Sequence, residues 1–285
     1  VYDSAIMSNM VGRKSKRLNL ERELPEGLLV DAAWLRRHHY SRQLWHHYAT
    51  TGLLEQLAPR VFRRPRGSLT WQQVVISLQA QLRQPLVVGG RTALELQGYA
   101  HYLTRVTKEI HLYGPKQPPT WLNDLPLRAR FLYHNDRKLF RKEAVVPSLP
   151  GLDWTPDKDD TVQDSLVVQP WGQSNWPLTL SSPERAILEL LDELPRHESF
   201  HQADVLMEGL SNLSPRRLQR LLEDCQSVKV KRLFFFFADR HSHAWLKRLN
   251  KRAVGLGDGK RMLVKGGKFN KTYQITVPEE MNAVS

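Results

Sequence analysis

The stretch that most constrains this chain is residues 31–66, DAAWLRRHHYSRQLWHHYATTGLLEQLAPRVFRRPR. Asp31 can cap a short helix that ends at Arg36 and Arg37, where cations suit the negative end of the helix dipole. His38-His39-Tyr40 interrupts it, and Ser41 offers a second N-cap. In the helix that follows, Leu44, Trp45 and Tyr48 fall on one face, leaving Arg42, Gln43, His46, His47 and Thr50 on the other. Gly52 can end it in a left-handed conformation. Leu53–Glu55 and Val61–Arg64 then read as two short strands joined through Ala58-Pro59-Arg60. Helix, turn, helix, glycine and basic hairpin is the order of a winged helix-turn-helix, whose second helix enters a major groove. Ser41, Arg42, Gln43, His46, His47 and Thr50 are therefore expected on the DNA-reading helix. Arg60, Arg63, Arg64 and Arg66 are expected on the wing, within reach of phosphates and the minor groove.

The flanks extend this into an α+β chain with a larger mixed α/β C-terminal domain. Residues 1–15 read as a disordered or vector-derived tail, since Val1 opens the chain and Met7 and Met10 follow closely. Residues 16–84 read as the winged helix, with a first helix at Leu18–Leu24 and a linking helix at Leu69–Leu82 that Pro85 ends. Residues 85–285 alternate strands (Leu86–Val88, Glu109–Tyr113, Leu127–Tyr133, Leu166–Val168) with helices at Thr92–Gln97, Pro183–Glu193 and Leu213–Cys225. Residues 147–164, rich in Pro and Asp, read as a long exposed loop. Val228–Ala238, VKVKRLFFFFA, has the composition of a strand buried on both faces. A short helix is expected at Trp245–Leu249, and residues 259–278 read as a hairpin turning at Gly266-Gly267.

Charge is distributed unevenly. The 42 Lys and Arg against 29 Asp and Glu leave a net +13, and the two ends carry the excess. Residues 1–70 hold +6, residues 226–285 hold +9, and the middle holds −2. Localised basic excess is the footprint of a polyanion binder. In the C-terminal block Lys247, Arg248, Lys251, Arg252, Lys260, Arg261, Lys265, Lys268 and Lys271 are candidate phosphate contacts, or lysine-rich edges that protect strands from aggregation. Single Cys225 rules out an intrachain disulfide and a cysteine-based zinc cluster. With no secretory signal and no long apolar run, the expected location is the cytoplasm.

One arrangement invites a chemical reading. Val88-Gly89-Gly90-Arg91-Thr92 precedes a strand carrying Glu109-Ile110-His111. This resembles the Gly-Gly turn and carboxylate-x-carboxylate strand of nucleotidyltransferases, but His111 replaces one carboxylate. A two-metal site needs converging anionic oxygens, so no catalysis, metal or cofactor is expected.

The winged helix at 31–66, the VVGGRTALELQGY stretch, the KEIHLYG strand and the closing VKVKRLFFFFADRHSHAWLKRL and GKRMLVKGGKFNKTYQITVP segments together resemble the AbiEi family. The likeness runs from about Leu18 onward. These are antitoxins and transcriptional regulators of bacterial type IV toxin–antitoxin operons. The resemblance implies an antitoxin that represses its own operon by binding promoter inverted repeats, with a nucleotidyltransferase toxin as the functional partner. It places the reading helix at Ser41–Thr51 and the wing at Arg60–Arg66. The competing expectation is an antitoxin that binds its toxin directly and reads little DNA sequence.

Overall fold

The computed structural model describes residues 15–99, 108–142, 151–153 and 165–281. The expected tail, residues 100–107 ahead of the KEIHLYG strand and most of the 147–164 loop lie outside these residues. Helix α1 (residues 15–23) leads into strand β1 (Leu29–Asp31), then α2 (Ala32–Arg37) and α3 (Arg42–Thr50). Asp31 caps α2 by accepting from Trp34 N at 2.7 Å, and Ser41 caps α3 by accepting from Leu44 N. The turn between them passes through His39 at φ +62°. There the His38 ring stacks on Trp34, one turn earlier in α2, with ring centroids 3.8 Å apart. Gly52 follows α3 at φ +77°, as a helix stop requires. Strands β2 (Glu55–Ala58) and β3 (Val61–Arg63) form the wing, and β3 also pairs with β1, giving the antiparallel order β1-β3-β2. Trp34, Leu35, Trp45, Tyr48, Leu54, Val61 and Phe62 are all buried beneath this layer.

Helix α4 (Trp71–Ile76) begins in a capping box between Thr70 and Gln73 and continues as a π-helical turn over Ser77–Gln81. Gln73 to Ala80 are buried without a break, so this linking helix has no solvent face. Its polar side chains serve backbone groups on both sides. Ser77 Oγ accepts from Leu29 N of β1 at 3.0 Å. The Gln79 amide donates to Leu86 O and Thr179 O and accepts from Thr179 N, all within 3.0 Å.

Beyond it lies a five-stranded mixed sheet in the order β6-β5-β4-β8-β7. Strand β4 (Val87–Val88) precedes helix α5 (Gly90–Leu96), followed by β5 (Glu109–Gly114), β6 (Arg130–Asn135), β7 (Leu166–Trp171) and β8 (Trp176–Ser181). β8, buried along its length, and the next helix but one, α7, are elements the sequence pattern left unread. Helix α6 (Pro183–Asp192) starts from the Ser182 cap and packs with α5 against the sheet. Helices α7 (Phe200–Gly209), α8 (Pro215–Asp224) and α9 (Val228–His241) close over α6.

Helix α9 corrects the strand expected at Val228–Ala238. A continuous apolar run carries no period that separates a buried strand from a buried helix. Here Ser227 caps the first turn, and Val230 to Ala238 are buried in succession, with Phe234–Phe237 in the core. Arg232 is buried within it and donates to four backbone oxygens, those of Leu256, Gly257, Gly259 and Gln274, at 2.7–3.2 Å. One guanidinium thereby ties the irregular C-terminal segment to the core. That segment contains β9 (Lys268–Asn270) and β10 (Ile275–Val277), paired Asn270 to Ile275. The hairpin turns at residues 271–274, not at Gly266-Gly267, because Asn270 Oδ1 accepts from Tyr273 N and closes the turn. Gly267 answers a different need: a Cβ there would lie 2.5 Å from Val277 O.

Replacing Gln79 by Ala orphans a buried N–H and two carbonyls, at about 1–3 kcal/mol for each group left without a partner. Gln79→Ala is expected to destabilise the protein by several kcal/mol in denaturant unfolding, whereas the same truncation at exposed Gln43 changes stability by under about 0.5 kcal/mol.

Candidate nucleic-acid interface

The exposed face of α3 carries Arg42, Gln43, His46, His47 and Thr50, and no acidic residue. Ser41 is committed to capping, and the Thr50 hydroxyl donates back to His46 O at 2.9 Å. Between the end of α2, the start of α3 and the wing lies an open groove of about 620 Å³. Trp45 and Phe62 line it, and Arg36, Arg42 and Arg60 are the cations on its lining. None of these three arginines pairs with a carboxylate among the described residues. Arg36 was missed by a sequence reading that assigned it to ending α2; a helix crossing the backbone ahead of the reading helix was the available signal.

The wing is shorter and less cationic than expected. Ala58 pairs with Val61, so the turn is Pro59-Arg60 alone, with Arg60 at φ +66° and its side chain exposed. Arg63 and Arg64 are engaged by acceptors of the protein itself, which corrects their expected place as free cations on the wing surface. Arg63 is buried, with Nε 2.6 Å from Glu55 Oε2 and Nη2 donating to Gly67 O. Arg64 Nη1 donates to Glu21 O and Leu24 O at the end of α1, and its Nη2 pairs with Glu26. Arg66 is exposed and leans on Gln173 at the β7–β8 turn.

The C-terminal cations also divide. Lys251 lies over the Phe235 and Tyr273 rings and contacts Asp239, and Lys260 lies over Phe269. These two serve the local fold. Lys247, Arg248, Arg252, Arg261, Lys265, Lys268 and Lys271 are exposed.

The Gly-Gly turn has a different occupant from the one its pattern suggests. Gly90 N donates to Glu189 Oε2 at 2.9 Å, so an internal carboxylate fills the anion position at the start of α5. A Cβ on Gly89 would lie 2.3 Å from the same oxygen. Glu189 also accepts from Ser181 Oγ and from Arg185 Nε, and Arg185 Nη2 reaches Asp136. His111 is buried, not presented: its Nδ1 is 3.0 Å from His134 Nε2, and His134 Nδ1 is 2.8 Å from Glu193. Its Nε2 lies 3.6 Å from Glu198, whose carboxylate is 3.1 Å from Arg91 Nε. Among the described residues no three His, Cys, Asp or Glu side chains converge to hold a metal ion. No helix among them is long and apolar enough to cross a membrane.

Burial, reinforced by His134 and Arg91, pushes the His111 imidazole down to about 3. Burial lifts the Glu198 carboxyl to about 7 against the opposing pull of Arg91, with Glu95, Glu109 and Glu193 adding to the rise. At 3.6 Å the Glu198 carboxyl and His111 Nε2 do not hydrogen-bond, and both Glu198 oxygens and His111 Nε2 are buried without a hydrogen-bond partner among the described residues. A carboxyl raised on folding stabilises the protein below its unfolded value and loses that contribution as pH rises through the folded value. Glu198→Gln keeps a donor and removes the titration. Its stability relative to the unsubstituted protein is therefore expected to rise by about 2–3 kcal/mol between pH 5 and pH 8, read from denaturant unfolding at each pH.

Comparison with known proteins adds three findings. The profile of a family described as "Transcriptional regulator, AbiEi antitoxin, Type IV TA system" matches residues 107–278, and that of the AbiEi antitoxin N-terminal domain matches residues 13–105. The fold is similar to the crystal structure of RV2827C protein from Mycobacterium tuberculosis, with a TM-score of 0.53 and 13% identity over 91% of this chain and 88% of that one. No curated protein matches by sequence.

Proposed function

We propose that this chain, which belongs to the AbiEi family of antitoxins and transcriptional regulators of type IV toxin–antitoxin systems, represses its own operon by placing α3 in the major groove of promoter inverted repeats. The observation that carries the reading is the groove between α3 and the wing, whose Arg36, Arg42 and Arg60 lack carboxylate partners among the described residues in a module otherwise rich in internal ion pairs. Arg42, Gln43, His46 and His47 are the side chains offered to base edges, and Arg42 or Gln43 can make the bidentate contacts that discriminate bases. Arg36, Arg60 and Arg66 are the backbone contacts. The C-terminal unit acts as a non-catalytic antitoxin domain, a reading supported by the Glu189 carboxylate at the Gly-Gly turn. Its functional partner is a nucleotidyltransferase toxin, whether or not the two proteins touch.

The test is fluorescence anisotropy on the duplex immediately upstream of the chain's own gene, titrated at several salt concentrations with excess unrelated DNA. Tight binding that survives the competitor is expected; binding that the competitor abolishes overturns sequence-specific repression and favours direct engagement of the toxin. Arg42→Ala is expected to lower the preference for the promoter duplex over unrelated DNA by about 1–3 kcal/mol. Arg60→Gly is expected to weaken all duplexes alike, reducing the salt slope by about 0.9. Because Arg60 occupies a left-handed turn position, its replacement by Gly leaves thermal stability unchanged or raises it by up to about 1 kcal/mol.

A further inference from the structure

The base of the wing meets the large sheet at a cleft of about 200 Å³. Arg66 and Gln73 of α4 form one side, and the β7–β8 turn with its flanking Trp171 and Trp176 forms the other. The two tryptophans are opposite each other in the β7–β8 register, so their side chains lie on one face of the sheet. The turn between them is tight: Asn175 N donates to Gly172 O at 3.2 Å, and Gly172 and Asn175 take φ of +70° and +49°. Trp176 is buried and Trp171 half-buried. Gln73 is only 8% exposed. Its Oε1 accepts from Thr70 N and Thr70 Oγ1, which leaves Nε2 a donor with no acceptor among the described residues. Arg66 is exposed and has no carboxylate partner among the described residues. Its hydrogen bond to Gln173 Oε1, at 3.5 Å, is long.

We infer that this cleft binds a small planar aromatic carboxylate, and that its occupation withdraws Arg66 from DNA. A nearly buried amide donor without an acceptor is costly, and a carboxylate oxygen supplies the acceptor that Gln73 Nε2 lacks. A guanidinium takes a carboxylate through two parallel charge-assisted bonds, which are shorter and stronger than the contact Arg66 makes with Gln173. The indole surfaces suit a flat ring, which gains from offset or edge-to-face stacking. Inorganic phosphate has no ring to stack, and a saturated acid has no flat face. The volume lies below the roughly 300–1,000 Å³ of sites for drug-sized ligands, so one ring with its carboxylate is the scale that fits. Coupling to DNA follows because Arg66 is one of the backbone contacts proposed above, and to that extent the inference rests on that reading. A ligand that neutralises Arg66 and a phosphate that needs it weaken each other reciprocally.

The probe is para-fluorobenzoate, titrated with the full chain in the absence of DNA and followed by its fluorine resonance. A saturable shift is expected, which benzoate reverses and cyclohexanecarboxylate does not; para-fluorobenzamide, flat but uncharged, gives none. Arg66→Gln is expected to weaken binding by at least about tenfold. Trp171→Ala abolishes it and Trp171→Phe, which keeps a flat ring, retains it, with thermal unfolding of each variant checked alongside. Anisotropy on the upstream duplex then tests the coupling: saturating para-fluorobenzoate lowers the affinity of the unsubstituted protein, reduces its salt slope by about 0.9, and leaves Arg66→Gln unaffected. No saturable shift overturns the inference, as does equal competition by cyclohexanecarboxylate or binding that Arg66→Gln leaves intact. Ligand binding that leaves duplex affinity unchanged overturns the coupling. A chain that binds the probe but no duplex removes the DNA reading and leaves the site standing.

Discussion

The linking helix is the constraint on which both halves of the molecule depend. Eight successive buried residues, Gln73 to Ala80, place one helix inside two cores. Ser77 and Gln79 are two residues apart, about 200° around a helix, so they address opposite sides. The first satisfies an amide of the winged-helix strand β1, and the second bridges Leu86 and Thr179 of the large sheet. Buried polar groups of this kind stabilise only when every partner is in place, which makes the helix intolerant of rotation or sliding. The orientation of α3 relative to the C-terminal unit follows from that.

A second principle is the division of arginines between structure and surface. Arg63, Arg64, Arg185 and Arg232 all turn inward. Arg185 lies between Asp136 and Glu189 over the Phe140 ring, while Arg232 binds only carbonyls and holds the C-terminal segment down. A planar guanidinium with five donors suits these tasks better than an ammonium does. The net charge of the chain therefore overstates what a polyanion can use. Among the cations left outward, Arg36, Arg42 and Arg60 line the α3 groove.

The Gly-Gly turn shows how a familiar local pattern can be put to another use. Glycines at 89 and 90 permit close approach, as a phosphate-binding turn would require, but the oxygen that approaches belongs to Glu189. The same carboxylate ties Ser181 of β8 and Arg185 of α6 to the turn, so the element closes the sheet onto its helices. Beside it, His111 and Glu198 are both buried, and exclusion of water holds the imidazole low and the carboxyl high in their titration.

Local rules sufficed for the winged helix. Caps at Asp31 and Ser41, the stop at Gly52 and the apolar spacing of Trp45 and Tyr48 act within a few residues, so α2, α3 and the wing were legible in sequence. The caps at Ser182 and Ser214 announced α6 and α8 for the same reason. Long-range burial decided the rest. Whether VKVKRLFFFFA became helix or strand depended on what surrounded it, because a run that is apolar on every side has no period to read. The fate of these arginines depended on acceptors far along the chain, 43 residues away for Arg64 and Glu21 and 49 for Arg185 and Asp136. Sequence determined where α2 and α3 start and stop and which face of α3 meets solvent. Only the tertiary structure decided which cations remain outward, since a guanidinium is available to an outside partner only after the folded chain has left it without an acceptor of its own.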